Sequence, residues 1–131
     1  MVMQKNLYAL LVFVISVLLT TGCSEQLDIR LAPEVKVHLS KDRSKVMRLT
    51  EKDQAYQELE QWLAEHQSGW YPTSGRYSGG VYLVSGDQGI LITERRVVIY
   101  SIEKAKPEAI YVQEINNSDL LIVKNIGAQA N

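Results

Sequence analysis

The sequence has few of the residues that build covalent or metal-bound frameworks. Its 131 residues include one cysteine, two histidines and three prolines. One cysteine cannot form an intramolecular disulfide, and two histidines would need carboxylates to complete a zinc site. We therefore expect no metal and no cofactor, and a domain stabilised by an ordinary apolar core.

An excess of positive charge is also absent, since 14 lysines and arginines face 15 acidic residues. Because nucleic-acid binding relies on clustered basic residues, we expect no nucleic-acid partner. No serine lies in a Gly-x-Ser-x-Gly pattern, and neither His38 nor His66 lies in a His-Glu-x-x-His pattern. We therefore predict a protein that is not an enzyme. The sequence leaves open one catalytic arrangement, the carboxylate pair of a glycosidase, because the two residues can come from distant segments.

The first 23 residues have the order of an export signal. Lys5 precedes an apolar run over residues 7–19, and the short segment Thr20-Thr21-Gly22 leads into Cys23. The apolar run has 13 residues, whereas a helix that crosses about 30 Å of hydrocarbon needs about 20. We therefore predict that residues 1–22 form a cleaved signal peptide rather than a permanent membrane span.

The segment Leu19-Thr20-Thr21-Gly22-Cys23 resembles the lipobox of bacterial lipoproteins. In that family a leucine commonly stands three residues before the cysteine, whereas Leu19 stands four before it. The resemblance implies that Cys23 carries diacylglycerol, and that residues 23–26 form a lipidated N-terminus and short tether. Ser24, in place of an aspartate, implies an outer-membrane protein facing the periplasm rather than inner-membrane retention. The alternative for Cys23 is an incidental thiol after a plain membrane anchor.

Apolar residues alternate with polar ones from residue 27 to residue 39, which predicts a half-buried strand. Pro33 should bend this strand, divide it or place it on a sheet edge. Residues 46–49 are expected to return as the second strand of a hairpin. Thr50 followed by Asp53 predicts a helix N-cap at Thr50.

An amphipathic helix is predicted over residues 51–66, because the apolar side chains after Thr50 recur at helical spacing. That stripe comprises Ala55, Leu59, Trp62, Leu63 and His66. Further strands are predicted over 81–84, 89–93, 97–102, 109–115 and 120–126. Their short connections favour an antiparallel meander, so we expect an α+β fold with one helix on a curled antiparallel sheet. A single domain should cover 27–126, followed by a frayed tail over 127–131.

The candidate binding residues lie in the glycine-rich segment 68–80, which is predicted to be a loop. They are Trp70, Tyr71, Arg76 and Tyr77. Aromatic rings and a guanidinium are the groups that dominate binding hot spots. The alternative is that Trp70 and Tyr77 fold over the sheet as core or lid, and both interpretations can hold for different residues.

A helix that ends in Ser68-Gly69-Trp70, followed by strands, resembles a group of small, uncharacterised proteobacterial proteins over residues 57–100. The resemblance implies a shared α+β domain without an assigned activity. Two functions follow as hypotheses. The first is an envelope lipoprotein that binds another envelope protein, for example as an immunity-type inhibitor of a periplasmic toxin. The second is a binder of a small molecule or cell-wall glycan, with Trp70 and Tyr77 stacking on a ring and Arg76 or Asp87 contacting polar groups.

Overall fold

The computed structural model describes residues 24–39 and 45–129. The predicted signal peptide 1–22 and Cys23 lie outside these ranges. Within them the chain forms an open, seven-stranded antiparallel sheet and two helices. The strands are β1 (Glu34–His38), β2 (Val46–Thr50), β3 (Tyr71–Pro72), β4 (Val81–Ser85), β5 (Gln88–Ile92), β6 (Arg96–Ser101) and β7 (Glu108–Glu114), and the helices are α1 (Gln54–Glu65) and α2 (Leu121–Gln129).

The strand order across the sheet is β2-β1-β4-β5-β6-β7-β3. Strands β4 to β7 form the predicted meander, and β1 and β2 form the predicted hairpin. The segment that contains α1 connects β2 to β3, the two edge strands of the sheet. The α+β prediction, with a helix on a curled antiparallel sheet, is confirmed.

The predicted strand 27–39 is shorter in the structure, because β1 begins at Glu34, directly after Pro33. The preceding residues leave the sheet but remain attached to the domain. The Ala32 N–H donates to Ser85 Oγ at 2.8 Å, and the Tyr56 hydroxyl donates to the Ala32 carbonyl at 2.9 Å. A proline that cannot donate a ladder hydrogen bond therefore marks the start of the strand.

Helix α1 begins three residues later than predicted, with Asp53 rather than Thr50 at the N-cap. Thr50 and Asp53 still interact, since Asp53 Oδ2 accepts the Thr50 N–H at 2.7 Å and the Thr50 carbonyl accepts the Asp53 N–H at 2.9 Å. These bonds close a turn in front of the helix. Four residues of the predicted stripe, Ala55, Leu59, Trp62 and Leu63, are buried on α1. Tyr56, which was not assigned to the stripe, is buried with them, whereas His66 is the half-buried C-cap.

The prediction of a strand over 120–126 is wrong, because this segment enters helix α2. The Glu58 carboxylate of α1 accepts the N–H groups of Ile122 and Val123, each at 3.1 Å. It thereby satisfies the free donors at the start of α2 and places negative charge at the positive end of its dipole. Residues 127–129, expected in a frayed tail, belong to this helix.

The main core lies between the two helices and one side of the sheet, which we call the helix face. It contains aliphatic side chains of alternate positions in the central strands, such as Leu83, Ile90 and Ile99. Trp62 and Trp70 complete this core with rings in edge-to-face contact, their centroids 5.9 Å apart. The helix face contains most of the buried apolar residues of the described chain, so its packing is the main source of stability.

Candidate functional site

A second apolar cluster lies on the opposite side of the sheet. Leu91, Val98 and Ala109 are buried there. The partly buried side chains packed against them are Tyr77, Tyr82, Tyr100 and Val112. We call this surface the tyrosine face. It arises because β4, β5 and β6 carry apolar or aromatic residues at successive positions, so that both sides of each strand are apolar.

One row of side chains crosses the tyrosine face from edge to edge. Residues in register on neighbouring strands place them side by side, in the order Val46, His38, Tyr82, Leu91, Val98, Val112 and Tyr71. The centre of the row is buried, whereas Val46 and Tyr71 at its ends are 44% and 52% exposed. The row therefore joins a dry centre to two accessible ends.

Gly89 makes room for the aromatic pair at the centre of this face. Tyr100 lies directly opposite Gly89 on β6, and Tyr82 reaches it diagonally from β4. A Cβ at Gly89 would overlap the Tyr82 hydroxyl and lie 2.9 Å from Tyr82 Cζ. The two tyrosine rings meet edge to face with centroids 5.8 Å apart, a favourable aromatic arrangement. A side chain at residue 89 would therefore displace the Tyr82 ring from its present position.

The segment 73–80 covers part of the tyrosine face and carries Tyr77 onto it. The Thr73 N–H donates to the Ile110 carbonyl at 3.0 Å, which fixes the start of the segment beside β7. Thr73 Oγ1 and the Tyr77 hydroxyl share a hydrogen bond of 2.7 Å. The Arg96 guanidinium lies 5.9 Å from the centre of the Tyr77 ring, within range of a cation–π interaction. Tyr77 is therefore held by a hydrogen bond at its hydroxyl and by Arg96 at the face of its ring.

Tyr77 borders three open hollows. One lies between Tyr77 and Tyr82, includes His38 and Pro107, and has a volume of about 590 Å³. The second lies between Tyr77 and Tyr100, with Arg76 and Glu108 among its residues. The third lies between Tyr77 and Tyr71, beside Arg96 and Gln113. Volumes of this order can accept the side chains of a partner or a small ligand.

The hydroxyl of Tyr82 has no hydrogen-bond partner although it is buried. Burial raises the pKa of Tyr82, and it also raises the pKa of Tyr100, with smaller contributions from Tyr82 and Tyr77. Both phenols are therefore neutral over the ordinary pH range. Each ring offers an apolar surface to a packing partner, whereas the Tyr82 hydroxyl lies over Gly89 and meets a ligand only if the ring moves.

The structure separates the four residues predicted for a binding loop. Trp70 is 0% exposed on the helix face, and its Nε1–H donates to the His66 carbonyl at 2.8 Å. Trp70 is therefore inaccessible to a ligand, and its position agrees with the alternative interpretation of Trp70 as a core residue. Tyr71 is exposed on edge strand β3, which replaces part of the predicted loop. Arg76 is exposed, and Tyr77 lies half-buried on the tyrosine face.

Tyr82, Tyr100 and His38 were not predicted as site residues. The sequence contains a signal for Tyr82, which lies between Val81 and Leu83 and therefore points to the side of the strand opposite the main core. An aromatic residue at an outward position of a strand is a signal for a second packed surface. The cross-strand register that brings Tyr82 and Tyr100 together depends on the sheet order, which the sequence pattern leaves open.

No group of three histidine, cysteine, aspartate or glutamate residues in the described ranges is arranged to hold a metal ion. Ser101 and Lys104 have the Ser-x-x-Lys spacing of some acyl-transfer enzymes. The Lys104 ammonium, however, is 3.7 Å from the Glu108 carboxylate and its side chain is 76% exposed. Lys104 is therefore surrounded by water and paired with Glu108, whereas a lysine that activates a serine is desolvated.

Comparison with known proteins leaves the function to be inferred from this chain alone. No family model, no curated protein and no solved structure matches it. Within residues 24–39 and 45–129, no helix is long and apolar enough to cross a membrane.

Proposed function

We propose that this protein is a lipid-anchored envelope protein, not an enzyme, whose domain binds a partner protein through the tyrosine face. The anchor is Cys23, which follows the apolar run 7–19 and would carry diacylglycerol in the outer membrane, facing the periplasm. The observation that carries the binding role is the second apolar cluster, which is covered by tyrosines rather than by a helix.

The composition of this surface favours a protein partner. Tyrosine and arginine are enriched where binding energy concentrates, since they combine large contact areas with polar ends. Tyr77, Tyr82 and Tyr100 supply the rings, and Arg76 and Arg96 stand at the margins of the hollows. Leu91 and Val98 form a rigid apolar floor beneath them. An immunity-type inhibitor is one role that such a surface would serve, because inhibition by occlusion needs only a complementary surface.

The second candidate is a glycan or other small ligand in the hollow between Tyr77 and Tyr82. The rings of His38, Tyr77 and Tyr82 favour it, because a sugar ring packs on aromatic faces, and the Tyr82 hydroxyl would donate to a sugar oxygen if the ring turned away from Gly89. Binding of purified protein to peptidoglycan fragments tests this candidate. Binding that is unchanged by both Tyr82→Phe and Tyr77→Ala would remove this hollow as the ligand site.

Site-specific cross-linking tests the protein-binding proposal. A photoreactive amino acid replaces exposed Arg76 beside the hollows and, as a control on the other side of the sheet, exposed Gln61 on α1. We expect one envelope protein to cross-link from position 76 in native membranes and to be lost when Tyr77→Ala is added. Equal cross-linking from position 61, or a partner that persists with Tyr77→Ala, would contradict the assignment to the tyrosine face.

The anchor has its own test, in which a radiolabelled fatty acid is supplied to cells that make the wild-type protein or Cys23→Ser. We expect label and membrane association with the wild type alone. A Cys23→Ser protein that is still labelled would overturn the lipid assignment without affecting the binding surface.

A further inference from the structure

The start of the described chain is attached to the domain rather than free. The Glu25 N–H donates to the Trp70 carbonyl at 2.8 Å, and the Trp70 N–H donates to the Glu25 carbonyl at 3.3 Å. The Leu27 N–H donates to the Gln67 carbonyl at 2.7 Å, and the Tyr111 hydroxyl donates to the Glu25 carboxylate at 2.6 Å. The tether predicted over residues 23–26 therefore ends at Glu25, beside the β3 edge.

One residue, Ser24, separates Cys23 from Glu25, so the Cα atoms of Cys23 and Glu25 are at most about 7 Å apart. The headgroup layer on one side of a bilayer is about 5 to 8 Å thick. If Cys23 carries lipid, as the proposed function requires, Glu25 and the residues paired with it must lie at or within the headgroup layer. The chain between Cys23 and Glu25 is too short to act as a free tether that would let the domain rotate away from the membrane surface.

The residue next to this attachment has the chemistry that suits the interface. Tyr71 follows Trp70 directly, lies on the two-residue edge strand β3 and is 52% exposed. Tyrosine concentrates at membrane–water interfaces because its ring is apolar and its hydroxyl remains hydrated. The nearby Glu25 carboxylate already accepts a hydrogen bond from the Tyr111 hydroxyl, so the carboxylate needs fewer hydrogen bonds from water.

We infer that the lipidated protein stands on the membrane on its β3 edge, with Tyr71 among the phospholipid headgroups and β2 as the edge furthest from the bilayer. Six strand spacings of about 4.8 Å place β2 about 29 Å from β3, measured along the sheet. The tyrosine face then stands beside the membrane rather than against it. Its Val46 end projects into the periplasm.

Two residues at the ends of the same cross-strand row give a matched test. Tyr71 and Val46 have similar exposure and lie on the same face. Lipidation consumes the only cysteine of the chain, so an introduced cysteine would be the only reactive thiol. Lipidated Tyr71→Cys and Val46→Cys proteins are placed in vesicles of phosphatidylethanolamine and phosphatidylglycerol and treated with a maleimide that carries a polyethylene glycol chain.

We expect Tyr71→Cys to react several-fold more slowly in vesicles than in detergent, while Val46→Cys keeps its rate on outward-facing molecules. An insertion of about ten Gly and Ser residues before Glu25, with a reach of about 17 Å, should restore the reactivity of Tyr71→Cys. Equal rates for the two variants in vesicles, or protection of Tyr71→Cys that survives the insertion, would overturn the inferred orientation. If Cys23 itself reacts with the maleimide, the lipid anchor has failed instead, and the mass of the protein distinguishes this result.

Discussion

The two faces of the sheet are both apolar at their centres, yet they are covered by different material. Two helices and the ring of Trp70 close the helix face, where aliphatic side chains pack without polar ends. A short segment and three tyrosines cover the opposite face, and open hollows lie between the tyrosine rings. The helix face is therefore closed by the chain itself, whereas the proposed partner would bind in the hollows of the tyrosine face without unfolding the domain.

The largest expected effect concerns the helix face. Trp70→Ala should lower the free energy of unfolding by about 3 to 5 kcal/mol, because it removes a fully buried ring and the hydrogen bond to His66. Tyr71→Ala is the control, since an exposed neighbour should change stability by less than about 0.5 kcal/mol. Urea unfolding of the unlipidated Cys23→Ser protein measures both. A small loss in the free energy of unfolding for Trp70→Ala would contradict the view that the helix face is the main source of stability.

Gly89→Ala should lower the free energy of unfolding by about 1 to 3 kcal/mol, because the added methyl group overpacks against Tyr82 on the tyrosine face. Without that overlap, alanine in a strand should gain about 0.5 to 1 kcal/mol relative to glycine. Urea unfolding of Gly89→Ala, Tyr82→Val and the double variant closes a mutant cycle. If the cost of Gly89→Ala is unchanged when Tyr82 is valine, the close approach of the ring to Gly89 is not its cause.

A difference in pH dependence should also distinguish the faces, because Tyr82 and Tyr100 have raised pKa values in the folded protein. Their contribution to stability is fully present below pH 10, the ordinary pKa, and is lost as the pH rises through the higher folded pKa. The free energy of unfolding should therefore fall less steeply above about pH 10 when both residues are phenylalanine. An equal fall would assign the alkaline loss to other tyrosines, such as Tyr111 with its bond to Glu25.

The smallest expected effect on stability is that of Tyr82→Phe, which removes a buried hydroxyl that has no partner. The variant should be as stable as the wild type or more stable, by up to about 1 kcal/mol. Thr73→Ala, which removes a hydroxyl that bonds Tyr77, is the contrast and should lose stability. A clear loss of stability for Tyr82→Phe in urea unfolding would show that the Tyr82 hydroxyl forms a hydrogen bond in the folded protein.

The elements that the sequence predicts well are those whose signal is local. The β1–β2 hairpin and the meander follow from alternation and short turns, and α1 follows from an apolar stripe at helical spacing. Helix α2 was missed because its start depends on Glu58, which lies 64 residues away in the chain. Local β-propensity was overridden by that contact, as happens where tertiary partners decide.

The candidate site was predicted only in part, because sequence separates residues that the sheet brings together. Tyr77 was identified from its loop, whereas Tyr82 and Tyr100 were assigned only to strands. For Trp70 the sequence leaves two interpretations open, because an aromatic residue beside glycines is typical of both a binding loop and a folded-back core residue. Its burial depends on the bridge to Glu25 and on the contact with the Trp62 ring, and the local pattern shows neither.

The connection through α1 has a consequence for the order in which the chain folds. It joins opposite edges of the sheet, so β3 gains its partner β7 only after the chain has crossed the meander. Pairings between neighbouring strands close short loops and form quickly, whereas distant ones carry a larger entropic cost. We expect amides of β5 and β6 to be protected before those of β3 in pulsed hydrogen exchange during refolding, and simultaneous protection would contradict this order. The edge beside the lipid would then be the last part of the domain to be completed.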